Sequence, residues 1–345
     1  MSIEREGFST SVLIPLIAII GALIVNSILL LAVGVNPLFA YKSLLSGALG
    51  STYGITESLV KATPLLLVSL SMTVAFKCNV WNIGAEGQMI IATIVVTWVT
   101  LAIGDRGGPL LLLLAMLVGF LGGAFWAFIP GLLKAKFEVN EVIVTLMMNY
   151  IATFLLSYLV HGPMMDPKAY GYPLSPVLPK SALLPKLVKG SRSHAGVLIA
   201  LLCALLTYIL LWKTPLGYYI RAVGLNPEAA YCAGINVFRS IIIAMILSGG
   251  LAGLAGMIEV CGVHRRLLDT PLSGGYGYLG IPVALVGRLH PLGVVLASLF
   301  FGTLFVGAEM MQRTTGIPTT LVYCIEGLMM LFLVSSEFIT KRGRA

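Results

Sequence analysis

Apolar runs of helix length return along this chain from one end to the other, and they leave little room for anything else. They occupy residues 12–34, 59–76, 88–103, 109–130, 141–161, 194–213, 238–262, 279–289, 291–311 and 321–338. Most approach the roughly 20 residues that a helix needs to cross a hydrocarbon core of about 30 Å. In lipid the backbone must satisfy its own polar groups, so such runs fold as helices. Only 10% of the 345 residues are charged, where a soluble domain carries roughly a quarter. The expectation is an all-α polytopic membrane protein of about ten transmembrane segments, forming a single transmembrane domain over 1–345.

Charge placement predicts the orientation. The net charge of +8 reflects Lys and Arg at helix ends, the pattern that orients membrane chains. Lys134, Lys136, Lys213, Arg221 and Arg239, with Lys341, Arg342 and Arg344 in the tail, then lie in the cytoplasm, as do both termini. The 162–193 loop becomes extracytoplasmic. It carries Lys168, Lys180, Lys186, Lys189 and Arg192 against Asp166, contrary to the positive-inside tendency, but two other loops and the tail outweigh it. Its six prolines predict an ordered cap more than a flexible linker. Residues 36–57 are amphipathic, too short to span, and expected on the outer surface. The first run exceeds a signal-peptide core, and Arg5 before it stands against Glu4 and Glu6, so a retained helix is expected.

Several function classes are excluded. No basic patch is interleaved with aromatics, so nucleic acid is not an expected partner. Cys78, Cys203, Cys232, Cys261 and Cys324 form no CxxC pair, and His161, His194, His264 and His290 have no ligand spacing. No metal site or disulfide framework is expected. There is no P-loop, HExxH or GxSxG. Gly275, Gly277 and Gly280 match GxGxxG, but a dinucleotide site needs a preceding strand and a carboxylate about 20 residues on. The preceding residues are turn-like and the next carboxylate is Glu309, so the glycines mark a tight entry into a short membrane segment.

Ten crossings would set two five-helix halves in inverted orientation. The third run opens at NIGAEGQ (82–88), and the eighth is the short, glycine-interrupted GYGYLGIPVALVGR. Broken segments at matching positions of two halves point to a transport pathway. Chance is the alternative in a chain with 38 glycines. In NIGAEGQ, Asn82, Glu86 and Gln88 offer polar groups, and Gly84 and Gly87 permit turns. A carboxylate at the centre of a membrane helix costs about 2.5–3.5 kcal/mol, so it faces a cavity or a partner. A wet cytoplasmic turn is the competing reading. In NEVIVTLMMNY (140–150), Asn140 fits a helix cap. Glu141, Thr145, Asn149, Thr153 and Ser157 then recur every four residues, spiralling by about 40° per step. Glu141 and Asn149 are pathway candidates, while the Thr and Ser residues suit interhelical hydrogen bonds.

RAVGLNPEAAYCAGIN (221–236) interrupts two apolar runs within a cytoplasmic loop, 214–237. Asn226 caps, Pro227 suits the first helical position, Glu228 complements the positive end and Gly234 terminates. The result is a two-turn helix whose Ala229 and Ala230 present a small-residue face to another protein's cleft, or else a surface helix without a partner.

Taken together, NIGAEGQ, NEVIVTLMMNY, RAVGLNPEAAYCAGI and GYGYLGIPVALVGR resemble the permease subunits of bacterial and archaeal ABC importers. The branch is the one serving ribose-type sugars, branched-chain amino acids and nucleosides. Within it, the chain is most similar to nucleoside and simple-sugar permeases. The resemblance implies a prokaryotic cell-membrane protein that pairs with a second permease, identical or related. It also implies a cytoplasmic ABC ATPase that binds the ATP, so the chain itself needs no cofactor and is not an enzyme, and an extracytoplasmic substrate-binding protein. It places Arg221, Gly224, Asn226, Glu228, Ala229, Ala230 and Gly234 in the loop that docks on the ATPase. It places Asn82, Glu86, Gln88, Glu141, Asn149 and Gly280 along the solute path. An ion-coupled secondary transporter with inverted repeats is the alternative. The solute, a nucleoside or a sugar, stays open.

Overall fold

A computed structural model describes residues 7–270, 272 and 274–342. The early charges Glu4, Arg5 and Glu6 and the tail's Arg344 lie outside the described residues. The described chain is helical, with two isolated bridges and no strand. The first half contains α1 (Gly7–Ala32), α2 (Pro37–Leu49), α3 (Thr52–Lys77), α4 (Ala85–Ile103), α5 (Leu110–Phe137) and α6 (Glu141–His161). The second contains α7 (Gly196–Lys213), α8 (Pro215–Leu225), α9 (Pro227–Cys232), α10 (Val237–Ile258), α11 (Tyr276–Val286), α12 (Pro291–Thr315) and α13 (Thr319–Arg342). Eight helices are long and apolar enough to cross a membrane, and up to nine if α1 and α2 form one bent span. Helix α11 is apolar but short. The ten apolar runs therefore correspond to ten helices, of which α11 does not cross alone.

Residues 36–57 are not one surface segment. Asn36 caps α2, which turns 116° from α1 and buries Ala40, Ser43 and Ala48 against α12. Residues 52–57 already belong to α3, which buries almost every residue from Val60 to Ala75. That central burial is why α3 shows no amphipathic stripe.

The two halves exchange packing partners. Helix α5 packs along α10, and α12 packs along α3, while α3 and α10 pack on each other at the centre. Glycines set the α5–α10 contact. Gly119 and Gly123 on α5 face Gly249 and Gly253 on α10, two GxxxG spacings nested backbone to backbone. Small residues at that spacing let helices approach where bulky ones hold them apart. The first helices break the symmetry, since α1 packs on α13 whereas α7 packs on α3 and α12.

The 162–193 loop forms an ordered cap. It contains a short 3-10 turn, Lys180–Ala182, and its backbone bonds to the segment after α10: Ser175 to Leu267, Leu178 to Arg265 and Leu184 to Cys261. His194 closes it, buried with Nδ1 accepting from the Gly196 N–H at 3.2 Å. Burial pushes the His194 imidazole down to about 4.

Candidate functional site

The break before α4 folds back into the protein. Helix α3 ends at Lys77, and Asn79 makes the turn at φ 57°, a left-handed conformation that Asn tolerates better than most residues. Residues 80–84 then climb back beside α3. Asn82 and Gln88 hold each other reciprocally, Nδ2 to Oε1 at 3.1 Å and Nε2 to Oδ1 at 2.9 Å. Asn82 also donates to Ser248 on α10 at 2.8 Å, and Ser248 meets Ser71 of α3 at 2.9 Å. Asn82 thus sits level with Ser71, well short of the end of α3. Such a break at depth is tolerated because protein groups satisfy its backbone and amides. The reading of NIGAEGQ as a wet turn is replaced by a buried one, since Asn82, Glu86 and Gln88 are all buried.

Glu86 lies in the first turn of α4 and is buried. Its carboxylate accepts from the Gly277 N–H at 2.8 Å, at the second position of α11. Helix α11 starts there through Gly275, whose φ of 85° suits glycine. Two interrupted helices therefore begin at one place and share one carboxylate, which both positive ends favour. Gly277 packs against the Glu86 backbone with no space for a side chain. Asn149 of α6 fastens the same junction: its Oδ1 accepts from Gly87 N at 2.8 Å, and its Nδ2 donates to Ile83 O at 2.9 Å and to the Tyr278 hydroxyl at 3.2 Å.

Glu141 stands at the rim of this network, paired with Lys134 at 3.0 Å and accepting from the Trp81 N–H at 3.3 Å. Gly280 is one turn into α11 and abuts Val68 of α3. The structure thus gathers Asn82, Glu86, Gln88 and Asn149 into one cluster and leaves Glu141 and Gly280 at its edges. The Thr residues behave otherwise than expected. Thr145 and Thr153 bond to the carbonyls of Glu141 and Asn149 in their own helix, not across to another.

Away from this junction, at the end of α3, lies the 214–237 loop. Helix α8 was not anticipated; Thr214 caps it and Pro215 opens it. Asn226 then caps α9, accepting from Ala229 N at 3.0 Å, and Gly234 ends the turn at φ 82°. Ala230, expected on the exposed face, is buried at 4% exposure, because α9 folds its small side inward. The surface is instead Leu225, Asn226, Glu228, Ala229 and Tyr231, with Leu225 at 88% and Tyr231 at 75% exposure. Gly224 is no surface residue either: it packs against the Lys77 carbonyl with no space for a Cβ. Arg221 lies 5.8 Å from the Trp212 ring, and Lys77 lies 5.6 Å from that same ring. His290, before α12, meets Trp212 edge-on at 4.7 Å. Burial, and then Lys77, holds its imidazole below the ordinary value.

On the cap side of α11 is a cavity of about 220 Å³ that the sequence did not disclose. Glu57 and Lys61 of α3, Arg192 of the cap, Glu259 and His264 after α10, and Tyr276 of α11 line it. Arg192 forms a two-pronged pair with the buried Glu57, which raises the guanidinium above its ordinary pKa. Lys61 pairs with Glu309 at 2.8 Å. Residues 259–264 form a π-helical turn in which Glu259 Oε2 lies 3.4 Å from His264 Nε2. The sequence signals were the carboxylates Glu259 and Glu309, in or near apolar runs. Among the described residues no group of His, Cys, Asp and Glu is arranged to hold a metal ion.

Residues 54–334 match the family described as branched-chain amino acid transport system, permease component. The chain is 38% identical to a glucose ABC transporter permease protein of Haloferax volcanii, covering 94% of this chain and 87% of the relative. It is 36% identical to a guanosine ABC transporter permease protein of Bacillus subtilis, covering 94% and 93%. It is 35% identical to a nucleoside ABC transporter permease protein of Lactococcus lactis, covering 95% and 92%. No solved structure matches it. With its membrane-length apolar helices, two helices starting at one buried junction and this similarity over nearly its whole length, the chain belongs to the branched-chain amino acid transport system permease family and is a multi-pass permease subunit of an ABC transporter.

Proposed function

We propose that this permease imports a neutral nucleoside or a related sugar-like solute, delivered by an extracytoplasmic binding protein and driven by a separate cytoplasmic ATPase. The observation that carries the proposal is the α8–α9 projection. It is capped at both turns and seated on the end of α3, and it exposes Leu225 and Tyr231 to a partner. An exposed tyrosine is a common anchor in protein interfaces. The chain carries no P-loop of its own, so the nucleotide belongs to that partner. The projection faces the cytoplasm, the cap faces outward, and α1 starts and α13 ends on the cytoplasmic side of a prokaryotic membrane. A second permease, identical or related, completes the pathway. The relatives named for glucose, guanosine and nucleosides share neutral, hydroxyl-rich solutes.

In the cycle, ATP binding draws the ATPases together and moves α8 and α9. The inverted halves then rock about the junction of α4 and α11. Asn82, Gln88 and Asn149 keep that junction intact, and Glu86 joins the two half-helices.

Proteoliposomes holding this chain, its neighbouring ATPase, its second permease and the binding protein test the reading with labelled guanosine and glucose. ATP-dependent uptake of one of them is expected. Leu225→Glu with Tyr231→Ala is expected to abolish co-purification of the ATPase while leaving the permease folded. Uptake by the permease alone under an ion gradient, without an ATPase, overturns the proposal.

A further inference from the structure

We propose that Glu259 is a solute-binding residue of the outer cavity, accepting hydrogen bonds from adjacent hydroxyl groups of a neutral polyhydroxylated solute. This rests on the import reading above and sharpens it. Four observations lead to it. The segment before Glu259, GGLAGLAGMI, is apolar and buried, and the Glu259 side chain is only 5% exposed. Carboxylates so placed in membrane proteins mark solute or ion pathways. Next, the regular helix gives way to a π turn at Glu259, a distortion that favours functional positions. The turn brings Glu259 and His264 together at the cavity wall, 3.4 Å apart. Tyr276 also lines the cavity, and its neighbour Gly277 bonds Glu86, so the cavity adjoins the junction of the broken helices.

The fourth observation is the charge balance, which selects the chemistry. Arg192 and Lys61 are the permanent cations lining the cavity, and each is already engaged, with Glu57 and with Glu309. Glu259 faces an imidazole instead of a permanent cation. The three carboxylates Glu57, Glu259 and Glu309 outnumber the two permanent cations, so the arrangement disfavours a phosphate-bearing solute. A carboxylate accepts hydrogen bonds and donates none, so neighbouring hydroxyls on a ribose or hexose ring match its two oxygens. Such bonds to a charged acceptor are the strong ones. Arg192, reaching in from the cap, closes the site over the solute.

The test uses the whole transporter in proteoliposomes, with one binding protein throughout, so that differences between variants belong to this chain. Guanosine and glucose are the transported probes. 2′,3′-Dideoxyguanosine, lacking two hydroxyls, or 2-deoxyglucose, lacking one, is the deoxy competitor, and guanosine monophosphate is the anionic one. Glu259→Gln is expected to raise the KM of the transported probe about tenfold, with the maximal rate little changed. It is also expected to narrow the preference for the probe over its deoxy competitor and to weaken the exclusion of the monophosphate. If Glu259→Gln does not assemble, His264→Gln carries the same measurement and is expected to move KM in the same direction. An unchanged KM and unchanged preferences in the variant that assembles overturn this proposal and leave the import reading standing. A wild-type transporter that carries neither probe overturns the solute reading, and this proposal with it.

Discussion

Glu86 gives the sharpest quantitative expectation. Its carboxylate is buried in the first turn of α4 and accepts from the second N–H of α11 at 2.8 Å. A neutral interhelical bond in a membrane protein averages about 0.6 kcal/mol, whereas a bond to a charged group is worth about 1.5–3 kcal/mol. Each positive helix end adds about 0.3–1 kcal/mol. Glu86→Ala removes the acceptor and the charge together, so a loss of about 3 kcal/mol is expected. Glu86→Gln keeps an acceptor and is expected to lose about 1 kcal/mol. Reversible unfolding of the purified chain in mixed micelles with SDS measures both, with the four tryptophans as the fluorescent signal. An alanine variant within about 0.6 kcal/mol of wild type refutes the idea that this carboxylate braces the two half-helices. Uptake tests the same junction separately: Glu86→Ala and Asn82→Ala should both transport poorly while the subunits still co-purify, and normal uptake in both removes the junction from the pathway.

Gly123→Ala should cost about 1–3 kcal/mol or more, because its methyl group meets the Gly249 carbonyl and the Gly253 backbone. Gly122→Ala, whose Cβ has its nearest neighbour at 3.5 Å, should be tolerated, and equal unfolding midpoints for the two would contradict the packing argument. His194 should make the fold acid-sensitive. Its folded pKa, about 4, lies below the unfolded value near 6.5, so the unfolded chain binds the extra proton. The stability is complete above about pH 6.5 and is lost as pH falls toward 4, by about 3 kcal/mol in all. The difference in unfolding free energy between wild type and His194→Gln, followed from pH 7 to 4.5, should shrink correspondingly; a constant difference refutes it.

The helices, the broken segments and the caps at Asn140, Asn226 and Gly234 were legible because each depends on local chemistry. Hydropathy marks a span, and Asn before Pro marks a helix start. What was not legible depends on partners distant in sequence. Glu57 and Arg192 stand 135 residues apart, and Lys61 and Glu309 stand 248 apart. Neither pair has a spacing to betray it, so the outer cavity went unseen. Ala230 misled for a related reason: a six-residue helix has too few turns to reveal which side it buries. The pairing of α5 with α10 and of α3 with α12 carries little shared side-chain pattern, so matching residues could not disclose it.

The contact of Gly224 with the carbonyl of Lys77 has a mechanical consequence. Backbone rests on backbone there, with no flexible side chain between to absorb displacement. Asn82 follows Lys77 by only five residues, and its bond to Ser248 ties it to α10. Steric contact resists compression but not separation, so this bearing transmits thrust from the projection and slackens under tension. On the ATP-driven cycle proposed above, the return stroke draws on the amide and hydroxyl bonds around Asn82, which makes those bonds its spring as well as its fastening.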